Sequence, residues 1–238
     1  MKTFNLLLIL ISLFVFSQYS YPYKKIANPD KSYICIPNEI DENEIKILVL
    51  FHGYVDNTNN FNYKNYNDMN FEKEVSNWKF KVSKENFFII GFDLDYKSFR
   101  SETADDILHN RIKKKIDEIH NEYKPLILKT YVAGTQYGGA MALYFNLKYD
   151  TFNACLCMNG AEFLSVAKKY VHNAKNKNFY FYHGEKNRFI SVNKLNSVAK
   201  KLRKEGAYVY TKSYPELAHA LTSTVYSDAI DKLLKDNK

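Results

Sequence analysis

The chain's 238 residues suit one domain large enough to bury a two-sided sheet, and no linker or internal repeat divides them. Its net charge is +8, with basic residues along the whole length and no nucleic-acid-binding motif, so nucleic acid is not an expected partner. Three cysteines make no disulfide framework, and six histidines without H-E-x-x-H spacing suggest no metal site; no cofactor is expected.

The N-terminus reads MKTFNLLLILISLFVFSQYS. Lys2 supplies a positive start, and the apolar run Leu6 to Phe16 is too short to span a bilayer. Val15 and Ser17 suit cleavage before Gln18, which predicts a signal peptide over 1–17 and a mature domain over 18–238. The mature protein is then exported, secreted or periplasmic, with no stable membrane span.

Short apolar runs then alternate with amphipathic ones. Strands are predicted at Tyr33–Ile36, Lys46–Phe51, Phe87–Phe92, Lys129–Gly134, Ala154–Met158, Phe179–Tyr182 and Tyr208–Ser213. Helices are predicted at Thr103–Glu122, Tyr137–Tyr149, Ser165–Asn173, Val192–Glu205 and Ala218–Lys235. Continuous apolar strands between amphipathic helices imply a three-layer α/β/α sandwich around a mostly parallel, doubly wound sheet. An antiparallel start is expected, because the polar segment NEIDENE joins the first two strands. The basic run Arg111 to Lys115 reads as a solvated helix face, and residues 57–68 as an exposed loop overhanging the site. Cys155 and Cys157, two apart on one strand, should share a face as buried thiols.

Ligands of such sheets bind beyond the carboxyl ends of the strands. Four strand ends carry informative residues: His52-Gly53-Tyr54, then Gly134-Thr135-Gln136-Tyr137-Gly138-Gly139, then HGEKNRFISV from His183, and YPELAHAL from Tyr214. Together they resemble the α/β-hydrolase superfamily, more narrowly small esterases of the dienelactone-hydrolase and polyhydroxybutyrate-depolymerase sort, over roughly residues 32 to 236. The resemblance implies the α/β-hydrolase fold and a strained turn that lifts a nucleophile above the sheet. It puts Gln136 at the nucleophile position, Asn187 at the acid position and His219 at the base position. It implies oxyanion donors in the amides of Tyr54 and Tyr137, with His52 and Gly53 bordering a ligand.

Two of the three catalytic positions depart from the family pattern. A carboxamide nitrogen has its lone pair delocalised, so Gln136 cannot attack an acyl carbon as an activated Ser or Cys does. Loss of a triad serine costs about a millionfold in turnover, and Asp replaced by Asn costs roughly ten-thousandfold. The sequence therefore predicts a hydrolase-fold protein without serine-hydrolase activity that holds a small acyl or carbonyl ligand or a protein partner. The alternative is an atypical carboxylic-ester hydrolase in which His219 works with a surrogate, Thr135 as nucleophile or Glu162 or Glu185 as acid.

Overall fold

A computed structural model describes residues 23–27, 32–53, 74–78, 85–92, 102–162 and 165–237. Eight strands form a single sheet: β1 (Tyr23–Ala27), β2 (Ser32–Pro37), β3 (Glu44–Phe51), β4 (Phe87–Phe92), β5 (Ile127–Thr135), β6 (Ala154–Met158), β7 (Asn178–Gly184) and β8 (Tyr208–Tyr214). Their spatial order is β1-β2-β4-β3-β5-β6-β7-β8. β2 runs antiparallel to both β1 and β4, and every pairing from β4 through β3 to β8 is parallel.

The central strands are apolar along their length because both of their faces are covered. Along β3, Ile45, Ile47, Val49 and Phe51 enter one core, while Leu48 and Leu50 enter the other. β6 divides likewise: Cys155 and Cys157 share the first core, and Ala154, Leu156 and Met158 the second. Both cysteines are buried free thiols, as is Cys35. The period-two alternation of strand side chains thus builds two cores from one sheet.

The first core is closed by α1 (Glu102–Tyr123), α2 (Tyr137–Lys148), the 3-10 helix Ser165–Ala174 and α3 (Val192–Lys204). α2 is buried from Gly138 to Leu147, which is why it reads as apolar all round rather than amphipathic. The second core is closed by the helical residues 74–78 and α4 (Ser223–Asp236). On α4, Val225, Tyr226, Ala229, Ile230 and Leu233 form the buried stripe. Each large aliphatic side chain so buried contributes about 1.5–3 kcal/mol of transfer free energy.

Three expectations need correction. An eighth strand, β1, precedes the seven predicted; two lysines in YKKIA mask it, in keeping with an edge position. Ser165–Ala174 winds as a 3-10 helix, because apolar spacing over ten residues does not separate 3.0 from 3.6 residues per turn. The last helix starts at Ser223 rather than Ala218, because carbonyls of residues 217–219 are bonded to β6 and β7 ends instead of to a helix. The predicted signal segment and the loop at 57–68 lie outside the described residues.

Candidate functional site

β5 ends at Thr135, and α2 starts at Tyr137, leaving a single residue to reverse the chain. Gln136 does so with φ 56° and ψ −118°, a left-handed conformation for a non-glycine residue. Backbone bonds over-determine it: its N–H donates to Met158 O at 2.7 Å, and its carbonyl accepts from Ala140 N at 3.1 Å. Glycine next to the turn permits a close approach. A Cβ on Gly138 would stand 2.3 Å from Phe51 O and 2.4 Å from His52 O. The first turn of α2 therefore rests directly on the end of β3.

That contact brings Gly53 beside the apex. A Cβ on Gly53 would lie 3.1 Å from Gln136 Oε1. The carboxamide oxygen thus rests against the turn after β3, and Tyr137 is the first residue of α2. His52 is 2 % exposed, and its Nδ1–H donates to Gly53 O at 2.9 Å. Tyr54, the other expected donor, lies outside the described residues.

The β7–α3 and β8–α4 loops supply the remaining positions. Asn187 is buried, and its Oδ1 accepts from Phe189 N at 3.0 Å and Ile190 N at 3.4 Å. Two backbone donors on one atom identify that atom as the oxygen. The same Oδ1 lies 3.4 Å from His219 Nδ1, which must then be the protonated ring nitrogen, leaving the lone pair on Nε2. Among the described residues, the buried Asn187 Nδ2 has no hydrogen-bond partner. Burial holds the His219 imidazole below the usual histidine pKa. The exposed ring of Phe189 packs on it at 4.6 Å between centroids.

Asn159 is a residue that sequence reasoning passed over. It follows β6 with φ 55° and is fully buried. Its Nδ2 donates to Ala218 O at 3.1 Å and His219 O at 2.8 Å, while its Oδ1 accepts from Gly184 N at 2.9 Å. One side chain therefore fastens the histidine loop to the strand that leads into the Asn187 turn. The Asn-Gly dipeptide at 159–160 signalled a left-handed turn but not this clamp. His183 braces the same turn, with Nε2–H donating to Ile190 O at 2.8 Å.

The surrogate groups are engaged elsewhere. Thr135 Oγ1 donates to Glu74 Oε1 and lies 3.3 Å from the Tyr226 hydroxyl, in the second core. Trp78 Nε1–H donates to the same carboxylate oxygen at 2.9 Å. Glu162 pairs with Lys194, and Glu185 accepts from the Ser213 hydroxyl at 2.5 Å. Among the described residues no three His, Cys, Asp or Glu side chains converge as metal ligands.

The turn, the imidazole and the amide at the acid position thus occupy one end of the sheet.

Residues 94–233 match the Dienelactone hydrolase family. No curated protein matches the chain at a significant level. Among solved structures, a Klebsiella pneumoniae protein assigned to the dienelactone hydrolases aligns over 90% of this chain and 96% of its own, with a TM-score of 0.55 and 12% identity. A thermophilic esterase from Thermogutta terrifontis aligns over 91% and 94%, with a TM-score of 0.59 and 11% identity. An acylaminoacyl peptidase from Pyrococcus horikoshii aligns over 94% of this chain but 42% of its own, with a TM-score of 0.60 and 15% identity. At such identities the likeness establishes the α/β-hydrolase fold alone. The family match spans more than half of the sequence, and the chain accordingly belongs to the dienelactone hydrolase family.

Proposed function

We propose that this family member is an exported, non-hydrolytic protein that holds a small acyl or carbonyl ligand in a retained hydrolase pocket. One observation carries the reading: the apex of the strained turn is a carboxamide, Gln136, whose Oε1 rests against Gly53. An amide there donates and accepts hydrogen bonds but forms no acyl-enzyme, because its nitrogen lone pair is delocalised. The rest of the pocket agrees in character. His219 faces an uncharged partner, so nothing at Asn187 stabilises the imidazolium that a general base must become.

The test uses the purified mature protein with a fluorophosphonate probe and short p-nitrophenyl esters. Expected are no covalent labelling and no turnover above buffer. Labelling of any Ser or Thr, or hydrolysis that His219→Ala abolishes, would overturn the reading. Export is checked separately, by whether the mature N-terminus recovered from the medium or periplasm begins near residue 18.

A further inference from the structure

Basic residues run along the whole chain, but its net positive charge is concentrated in one stretch. Residues 165–204 hold eleven of its 34 Lys and Arg and one of its 26 Asp and Glu. That stretch therefore carries +10, and the remaining residues together are net acidic by two. β7 lies within it but is buried and contributes none of the charge. The basic residues stand on the 3-10 helix (Lys168, Lys169), on the turns that flank β7, and on α3 (Lys194, Lys200, Lys201, Arg203, Lys204).

The fold gathers these into one surface. The 3-10 helix and α3 pack against the same face of the sheet, through Ala167 and Ala174 on one and Leu195, Val198, Ala199 and Leu202 on the other. They also touch one another, and Asn176 N donates to Gly206 O at 3.2 Å where their C-terminal ends meet. Ten of the eleven basic residues are exposed, and Lys177 is half-buried. Among the described residues, carboxylates pair with Lys177 (Asp150), Lys186 (Glu216) and Lys194 (Glu162). Charge in the last turn of α3 also complements the helix dipole, but that accounts for three residues, not eleven.

We propose that the layer formed by the 3-10 helix and α3 docks the protein on an anionic lipid surface. Nine of the eleven residues are lysines, point charges suited to a diffuse anionic plane rather than to bidentate reading of phosphates or bases. The surface is broad, with α3 alone about 20 Å long. Its large exposed apolar side chain is Phe189, 76 % exposed and next to Arg188, which suits insertion at a lipid–water boundary. Because Phe189 packs on His219, docking here sets the candidate pocket at the rim of the contact. The proposal stands whether or not the pocket is catalytic.

The experiment is co-sedimentation of the full mature chain with phosphatidylcholine vesicles, with and without phosphatidylserine, at low and physiological salt. Expected is binding that requires phosphatidylserine and weakens as salt rises. The triple variant Lys168→Glu/Lys200→Glu/Lys204→Glu should lower affinity by more than about tenfold with an unchanged circular dichroism spectrum. Lys113→Glu/Lys114→Glu/Lys235→Glu, with the same loss of net charge elsewhere, should not. Equal binding to uncharged vesicles, or equal loss in the two triple variants, overturns the proposal. Tighter binding to single-stranded homopolymer RNA than to phosphatidylserine vesicles overturns it in favour of nucleic acid.

Discussion

His219 Nδ1 lies 3.4 Å from Asn187 Oδ1, an oxygen that already accepts from Phe189 N and Ile190 N. Two backbone donors on that atom would suit a carboxylate, but the side chain is an amide, whose buried Nδ2 has no hydrogen-bond partner among the described residues. Asn187→Asp replaces that orphaned donor with an acceptor and puts a negative charge beside the ring. The imidazolium is then favoured, so the His219 pKa should rise by about one unit or more from its depressed value. A histidine ring titration by NMR reads this directly; an unmoved His219 would show that the Asn187 turn is not aimed at it.

Gln136→Ser alone restores a hydroxyl but leaves the base without an anionic partner. The double variant Gln136→Ser/Asn187→Asp should hydrolyse p-nitrophenyl acetate faster than the single variant by roughly three to four orders of magnitude. Equal rates in the two would mean that the Asp side chain does not orient the imidazole.

Strain at the apex gives a stability test independent of chemistry. A non-glycine residue held at φ 56° costs of order 1–3 kcal/mol. Gln136→Gly removes that cost and should raise the unfolding free energy by about 1 kcal/mol in urea titration. A loss of stability instead would mean that the carboxamide's contact with Gly53 outweighs the backbone strain.

Asn159→Gly keeps the left-handed backbone but deletes the clamp. Gly184 N–H then loses its acceptor inside the protein, at a cost of about 1–3 kcal/mol. The ring resonances of His219 should shift or broaden in this variant, while those of the exposed His120 and His172 stay in place. Uniform shifts in all three would point to general loosening rather than a local clamp.

Acid should destabilise the fold before its carboxylates titrate. Burial lowers the pKa values of His109, His183 and His219. Below about pH 6.5 the unfolded chain takes up protons that the folded chain does not, so stability is full above that pH. It falls as the pH drops toward the lowered folded values. Urea midpoints at about pH 7.5 and about pH 5.5 should differ in that direction, and His183→Gln should narrow the gap. A gap of equal size in the variant would assign the acid sensitivity to other groups.

Much of the site was legible along the chain because it is local. Gly134, Gly138 and Gly139 bracket a turn only one residue long, and that brevity dictates the geometry at Gln136 whatever packs around it. Burial on both faces left long apolar runs at β3, β4, β6 and β7, so their place in a mostly parallel sheet could be anticipated. β1 escaped notice because an edge strand needs only one buried face and tolerates Lys24 and Lys25. The start of α4 was misplaced because Ala218 and His219 suit a helix locally, while their carbonyls are claimed by Asn159 from 59 and 60 residues away.

By itself, the sequence determined the sheet-and-helix alternation, the tight turn and the carboxamides at Gln136 and Asn187, since each depends on residues within one short segment. The tertiary structure alone decided that one buried Asn159 joins the histidine loop to β7. It also decided that the 3-10 helix and α3, with their lysines, lie side by side, because both pack on the same face of the sheet.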